Sequence, residues 1–157
     1  MVANSIASER LVYERKYWKL CHPKDFEAKP VIINNDSLDI LKWNCTVPGI
    51  GKLKDYKLHL QLDFFESYPS SLPKCTLKRP IFHPNISPKG LICLNNFIKL
   101  NKDPKQVLVE KILYYIQETL CNPNLKDVVN AEAYQMFIDD KNTYKTRLIE
   151  DLKKTSS

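Results

Sequence analysis

Residues 82–95 read Phe82-His83-Pro84-Asn85-Ile86-Ser87-Pro88-Lys89-Gly90-Leu91-Ile92-Cys93-Leu94-Asn95. They place a carboxamide, Asn85, eight residues before a thiol, Cys93, in a stretch that proline and glycine keep irregular. A cysteine thiolate can carry an acyl group, and an amide can donate hydrogen bonds to the oxygen that becomes negative as the group moves. The segment therefore predicts acyl transfer on Cys93. Asn85 is either the oxyanion donor or a turn residue bonded to its own backbone.

The irregular stretch extends well beyond this segment, from Arg79 to Gln106. Prolines at positions 80, 84, 88 and 104, together with Gly90, argue against regular structure there. A segment this long without helices or strands is uncommon inside a compact domain and usually carries function. We therefore expect it to form an active-site loop.

Regular structure is predicted on both sides of this loop. Residues 56–64 alternate apolar and polar side chains without a break, which is typical of a half-buried strand. Helices are indicated where apolar residues recur at spacings of three and four. The predicted helices are 5–20, 108–120, 130–139 and 141–153, and the predicted strands are 26–33, 41–47, 56–64 and 74–78. Short links between the strands favour an antiparallel meander, so the predicted fold class is α+β, with the long loop between sheet and later helices.

Length and composition limit the class of protein. The chain has 157 residues, 43% of them hydrophobic, which suits one packed domain over residues 1–157 and argues against disorder. No apolar run approaches the ~20 residues that a membrane-spanning helix needs, and the first residues lack the pattern of a secretory signal. We therefore expect a protein of the nucleus and cytoplasm that is not bound to a membrane.

The five cysteines favour a reducing compartment. They are odd in number and far apart, and no Cys-x-x-Cys pair that would bind zinc occurs. Cys45 and Cys75 are in phase with apolar neighbours and are predicted to be small core residues. Cys21 and Cys121 adjoin predicted helices, which favours a structural role. Cys93 alone follows a loop glycine, so it is the candidate nucleophile, and no metal site is expected.

Positive charge is concentrated near the N-terminus. The formal net charge is +6, and residues 1–24 hold five Lys or Arg against two Glu, a net +3. Such a run is usually a solvated helix face, but it can also dock an acidic protein partner. Nucleic-acid binding requires exposed aromatic residues among the cations. It is disfavoured because Tyr17 and Trp18 are predicted to face the core.

Several motifs, in this order and at these spacings, resemble the ubiquitin-conjugating enzyme family. They are His83-Pro84-Asn85, the run Gly90-Leu91-Ile92-Cys93-Leu94, and Pro123-Asn124 followed by Asp127. Others are similar to the SUMO-conjugating branch of that family. They are Glu14-Arg15-Lys16 with Trp18 and His22-Pro23, Tyr68-Pro69-Ser70-Ser71 with Pro73-Lys74-Cys75, and Ala131-Glu132-Ala133-Tyr134. The resemblance covers nearly the whole chain. It implies the ubiquitin-conjugating fold, with an N-terminal helix, a four-stranded meander, a long active-site loop, and central and C-terminal helices.

The resemblance implies a cycle of acyl transfer in which this chain needs no cofactor of its own. A heterodimeric activating enzyme, which uses ATP and Mg²⁺, passes the C-terminal carbonyl of a ubiquitin-like modifier to Cys93. A substrate lysine attacks the thioester, Asn85 stabilises the intermediate, and an isopeptide bond forms. Asp127 would orient the lysine and accept its proton, although a loop aspartate can instead cap the next helix. His83 is implied to support the loop and not to act as a base.

Two groups of binding residues are also implied. Arg15, Lys16, Lys19 and His22 of the first helix match the region that contacts the activating enzyme and SUMO. The residues implied to face the substrate are Ser87, Lys89, Lys99, Lys102 and Tyr134.

The chain departs from the family pattern close to the site. Ser87 stands where the SUMO branch usually has tyrosine. Residues 101–105 contain no tryptophan, although the family usually has one shortly before a proline there. Lys89, Lys99 and Lys102 would still attract an acidic residue near the target lysine.

Three hypotheses follow. The first is an active SUMO-conjugating enzyme, a monomer that works with SUMO, its activating enzyme, SUMO ligases and lysine-bearing substrates. The second is a conjugating enzyme for ubiquitin or a NEDD8-like modifier, against which the basic first helix and Tyr68-Pro69-Ser70-Ser71 argue. The third belongs to another class, a catalytically silent binding module on the same fold. Cys93 argues against this third hypothesis, and the altered loop after Cys93 keeps it open.

Overall fold

The computed structural model describes residues 5–35, 37–103 and 108–155, and its elements confirm the predicted α+β class. The helices are α1 (Ile6–Cys21), α2 (Asn95–Leu100), α3 (Val109–Cys121), α4 (Ala131–Asp139) and α5 (Lys141–Thr155). The strands are β1 (Glu27–Asn34), β2 (Ser37–Pro48), β3 (Lys57–Asp63) and β4 (Lys74–Leu77), and a 3-10 turn covers Gly51–Leu53. No helix in these described ranges is long and apolar enough to cross a membrane.

The strands form one antiparallel sheet in the order β1-β2-β3-β4, which confirms the predicted meander. Along β3, Leu58, Leu60 and Leu62 are buried, and the residues between them are only half-buried. This alternation gives the sheet one apolar face. Helices α1 and α3 contact β2, and α5 contacts β3, so the core lies between the sheet and these helices.

One part of the predicted loop is helical, so the expectation of a wholly irregular stretch from 79 to 106 is wrong. Helix α2 is six residues long. Its Phe97 is buried, with its ring 5.4 Å from that of Tyr115 in α3. Six residues are too few to show a helical periodicity in the sequence. Tertiary packing, and not intrinsic helix propensity, stabilises so short a helix. Pro104 and Gln106 of the predicted loop lie outside the described residues.

A buried carboxylate joins three parts of the fold. Glu14 of α1 accepts hydrogen bonds from Tyr68 Oη at 2.6 Å, from Val109 N at 2.6 Å and from Arg10 Nε at 3.2 Å. Val109 begins α3, so Glu14 satisfies a backbone N–H that has no partner within the helix. Burial raises the pKa of Glu14, and these donors oppose that shift. Glu14 therefore ties α1 to the loop after β3 and to the start of α3.

We expect Glu14→Ala to lower the free energy of unfolding by about 3 kcal/mol, because it leaves buried donors without an acceptor. Glu132→Ala is the matched control, since Glu132 is exposed and pairs with Arg147 at the surface. That control should cost less than about 1 kcal/mol. Urea denaturation followed by circular dichroism measures both variants. Equal losses would show that the Glu14 contacts contribute no more than a surface ion pair.

Candidate active site

Backbone pairing places Asn85 directly beside Cys93. Cys93 N donates to Asn85 O at 3.0 Å, and Ser87 N donates to Leu91 O at 2.9 Å. Gly90 lies at the turn between them with a φ of +96°, in the region that favours glycine. The chain therefore reverses its direction tightly between Asn85 and Cys93. These two candidate residues lie opposite each other on the two paired halves of this reversal.

Cys93 is the accessible thiol of this reversal. Its side chain is half-buried, whereas Cys45 and Cys75 are buried, which confirms the prediction that these two are core residues. Burial raises the pKa of the Cys45 and Cys75 thiols, so both stay protonated. Cys121 is half-buried and Cys21 is exposed, but both lie at the ends of helices away from the reversal. An acyl donor that reaches Asn85 therefore meets Cys93.

His83 is fully buried and anchors the reversal to α3. Its Nε2 donates to Thr119 O at 2.8 Å, and its Nδ1 accepts from Asn85 N at 3.0 Å. These partners define the neutral tautomer with its proton on Nε2. Burial lowers the pKa of His83 to about 4, although the hydrogen bond to Thr119 opposes the shift. Both ring nitrogens are occupied, so the prediction of a structural imidazole is confirmed.

The buried imidazole makes stability depend on pH. The unfolded chain takes up a proton on His83 near pH 6.5, whereas the folded protein resists it until about pH 4. Below pH 6.5 the unfolded state binds more protons. The free energy of unfolding therefore falls with decreasing pH, by about 3 kcal/mol in total by pH 4. We expect His83→Gln to remove this contribution and His22→Gln, at an exposed position, to keep it. Urea denaturation across this pH range measures the effect, and parallel pH profiles for the three proteins would contradict it.

Asn85 is buried, and its carboxamide bonds to the segment that carries Asp127. Its Nδ2 donates to Asn124 O at 2.6 Å and to Asp127 O at 2.8 Å, and its Oδ1 accepts from Asn124 N at 2.8 Å. The interpretation as a turn residue bonded to its own backbone is therefore wrong, because these partners are 39 and 42 residues away. Both amide protons are used. Donation to an oxyanion thus requires Asn85 to release one of the two carbonyls.

Asp127 lies on the loop that Asn85 holds. Its side chain is half-buried, and its Oδ2 accepts a hydrogen bond from Asn124 Nδ2 at 3.3 Å. Asn130 caps α4 by accepting from Ala133 N at 3.1 Å, so the alternative of Asp127 as the helix cap is wrong. Asn85 donates to the backbone carbonyl of Asp127 and not to the carboxylate of its side chain. The structure therefore links Cys93, Asn85 and Asp127 through a continuous set of hydrogen bonds.

The residues predicted to face the substrate lie on three elements. Ser87 and Lys89 belong to the reversal, where Ser87 Oγ accepts a backbone N–H at 3.1 Å and Lys89 is exposed. Lys99 is exposed in α2, and Lys102 is exposed just after it. Tyr134 is half-buried in α4, three residues after the helix begins. The Ser87 hydroxyl accepts a hydrogen bond within the turn, whereas the side chains of the three lysines are exposed and available to a charged partner.

Three of the four basic residues predicted to bind partners border one groove. Arg15, Lys19 and His22 border a groove of about 670 Å³ between α1 and β1, and Lys16 does not line it. The His22 ring stacks on that of Trp18, with centroids 5.7 Å apart. The structure thus brings three of the four predicted binding residues together.

Tyr17 does not face the core as predicted. It is 43% exposed, whereas Trp18 is 7% exposed and confirms its prediction. The buried stripe of α1 contains Ala7, Leu11, Glu14 and Trp18, and Tyr17 lies one residue off it. An aromatic side chain is therefore exposed among the basic residues of α1, which weakens the case against nucleic-acid binding.

Two residues of α5 that support the site carried no signal in the sequence. Asp151 accepts a hydrogen bond from Phe82 N at 2.8 Å, across 69 residues of chain. The Arg147 guanidinium lies 3.7 Å from the centroid of the Phe82 ring. Together they hold the residue that precedes His83.

Known proteins are similar to this chain in sequence and in fold. The family described as ubiquitin-conjugating enzyme matches residues 10–151. The SUMO-conjugating enzyme UBC9 of Caenorhabditis elegans is 37% identical over 150 residues, which cover 92% of this chain and 89% of that protein. The SUMO-conjugating enzyme SCE1 of Arabidopsis thaliana is 37% identical over 153 residues, covering 94% and 93%. A solved structure described as a novel ubiquitin-conjugating enzyme has a TM-score of 0.78 at 25% identity and covers 94% of this chain and 95% of its own.

These matches define a class of transferases that carry their acyl group as a thioester on a cysteine. The chain belongs to the ubiquitin-conjugating enzyme family.

Proposed function

We propose that this protein is a SUMO-conjugating enzyme, which accepts SUMO from an activating enzyme on Cys93 and transfers it to substrate lysines. One observation carries the proposal: Cys93, an accessible thiol whose backbone N–H donates to the backbone carbonyl of Asn85, lies in a chain 36–37% identical to named SUMO-conjugating enzymes over most of its length. The relatives from Caenorhabditis elegans, Arabidopsis thaliana and Dictyostelium discoideum all carry that description.

The first step is thioester exchange. The Cys93 thiolate attacks the modifier's carbonyl carbon on the activating enzyme, a new C–S bond forms, and the donor's thiolate leaves. Exchange between two thioesters is nearly balanced in energy and requires no base or cofactor from this chain. That suits a site in which His83 is neutral and bonded to Thr119.

The second step is attack by the substrate lysine. Its amine must lose a proton, and in this proposal the half-buried carboxylate of Asp127 orients the amine and accepts that proton. The C–N bond forms, a negative oxygen develops, and collapse of the intermediate expels the Cys93 thiolate. Asn85 supports this step by holding the Asp127 loop, and donation to the oxyanion would require it first to release a backbone carbonyl.

Charged surfaces supply the partners' contacts. The groove is lined by Arg15, Lys19, Lys29 and Lys57 against Asp25 and Glu27, and its basic excess suits an acidic surface of SUMO or of the activating enzyme. Lys89, Lys99 and Lys102 suit an acidic residue near the acceptor lysine, and Ser87 and Tyr134 belong to the same proposed substrate surface. SUMO ligases and a nuclear and cytoplasmic location belong to the same proposal.

The proposal is tested by mixing the protein with matched activating enzymes, Mg-ATP and each modifier in separate tubes, followed by non-reducing gels. We expect a thiol-sensitive adduct with SUMO only. Arg15→Glu with Lys19→Glu should slow loading, and Lys16→Glu, a charge reversal on the same helix outside the groove, should slow it less. An adduct with ubiquitin and none with SUMO would reject the proposal. No adduct with any modifier would indicate a silent binding module.

A further inference from the structure

The half of the reversal that carries Cys93 also runs antiparallel beside β4. Thr76 of β4 forms an antiparallel bridge with Leu91. In an antiparallel pair, each step forward along one strand matches one step back along the other. Two steps from this bridge along each strand therefore bring Lys74 opposite Cys93.

Burial shows that Lys74 and Cys93 lie on the same face of this pair. Between them and the bridge, Cys75 and Ile92 are both buried, and Ile92 N donates to Cys75 O at 2.9 Å. Lys74 is exposed and Cys93 is half-buried, so both belong to the outer face, since successive side chains of a strand alternate between faces. Opposite side chains in an antiparallel pair have Cβ atoms about 5 Å apart. The flexible four-carbon stem of lysine covers that distance.

A carboxylate occupies the next position in the same row. Asp63 of β3 is the register partner of Lys74, and its side chain is half-buried. A carboxylate, an amine and a thiol therefore lie side by side across β3, β4 and the reversal. Asn85 pairs with Cys93 from the other side and is bonded to the loop of Asp127. Lys74 and the Asp127 loop thus lie on opposite sides of Cys93.

We propose that Lys74 is a site of self-modification, which accepts the modifier from Cys93 of the same molecule. The inference rests on the proposed function, because it needs an acyl group on Cys93. The Lys74 ammonium loses a proton to Asp63, and the free amine attacks the thioester carbonyl. The C–N bond forms, the C–S bond breaks, and Cys93 leaves as a thiolate. An amine held beside the thioester reacts at a high effective concentration, so no bound substrate is required.

Self-modification at this position limits the activity of the enzyme. An isopeptide bond on Lys74 fixes a whole modifier protein beside Cys93, where it covers the thiol against a second donor. The reaction competes with transfer to substrates and becomes important when acceptor lysines are scarce. We therefore expect the modified protein to accept a new thioester more slowly than the unmodified protein.

The test follows preformed SUMO thioester without substrate, after EDTA has stopped the activating enzyme. We expect the thioester to convert into an adduct that resists reducing agents, with a first-order rate constant that is independent of protein concentration. Mass spectrometry of its peptides should place the isopeptide bond on Lys74. Lys74→Arg should form the adduct roughly tenfold more slowly or worse, and Asp63→Asn should also slow it. Lys78→Arg, the same change at an exposed position beyond the end of β4, should not.

The outcomes separate this inference from the function on which it rests. A thioester that gives no stable adduct would overturn the inference and leave the proposed function intact. An adduct that maps to another lysine, or forms faster at higher protein concentration, would also overturn it. Unchanged rates in Asp63→Asn would overturn the role of Asp63 as the proton acceptor. No thioester with any modifier would reject both proposals. The thioester yield is read for every variant, so a misfolded variant is distinguished from one that has lost its acceptor.

Discussion

Cys93→Ala will form no thiol-sensitive adduct with SUMO under conditions in which the unaltered protein is fully loaded. The methyl group cannot attack a thioester, and the structure has no other accessible thiol on the reversal that pairs with Asn85. Cys93→Ser should form an adduct slowly, because an alcohol is a weaker nucleophile than a thiolate. That adduct is an oxygen ester and should resist reducing agents. Non-reducing and reducing gels run in parallel measure both properties.

Cys121→Ser is the matched control for this prediction. Cys121 is half-buried like Cys93 but lies at the end of α3, where its Sγ donates to Ile50 O at 3.6 Å. We expect this variant to load as the unaltered protein does. A thiol-sensitive adduct that persists in Cys93→Ala and disappears in Cys121→Ser would show that the acyl carrier has been misassigned.

The sheet and the long helices could be predicted because their patterns are local. Residues 56–64 alternate strictly, and the strand observed there is Lys57–Asp63. The buried stripe of α1 likewise follows its helical spacing. Helix α2 was not predicted, because Phe97 is its one buried residue and the ring that Phe97 packs against, that of Tyr115, lies on another helix. Patterns that need several turns to appear cannot report an element of six residues.

The sequence could predict that Cys93 lies on an accessible loop, but not which residues support that loop. Cys93 stood out because it alone follows a loop glycine, and the reversal with Gly90 at its turn explains that signal. The partners of Asn85 are 39 and 42 residues away, and that of Phe82 is 69 residues away. No local rule connects residues at such separations, because only the packed fold brings them together. Local propensity suggested that Asn85 lies in a turn and that its side chain bonds its own backbone. The turn is present, but the side chain bonds to the backbone of Asn124 and Asp127.

Asn85→Ala is expected to load SUMO but to discharge it to lysine about a hundredfold more slowly or worse, the usual effect of losing an oxyanion donor or a positioned acceptor loop. The free energy of unfolding should also fall by about 2–3 kcal/mol, because two part-buried carbonyls and one part-buried N–H lose their partner. Asn95→Ala, at an exposed position in α2, is the matched control and should change neither property. Single-turnover discharge of preformed thioester to free lysine, together with urea denaturation, measures the two effects.

The choice of attacking amine separates the two ways in which Asn85 can act. Hydroxylamine is already neutral at physiological pH, so it needs neither orientation nor proton removal by Asp127. If Asn85 acts by holding the Asp127 loop, Asn85→Ala will slow discharge to lysine strongly and to hydroxylamine little, and Asp127→Asn will show the same pattern. If Asn85 donates to the oxyanion, both amines will be slowed alike, since both pass through the same negative oxygen. The resting geometry, with both amide protons on backbone carbonyls, leads us to expect the first pattern. Unchanged rates with both amines would show that Asn85 contributes only to the stability of the fold.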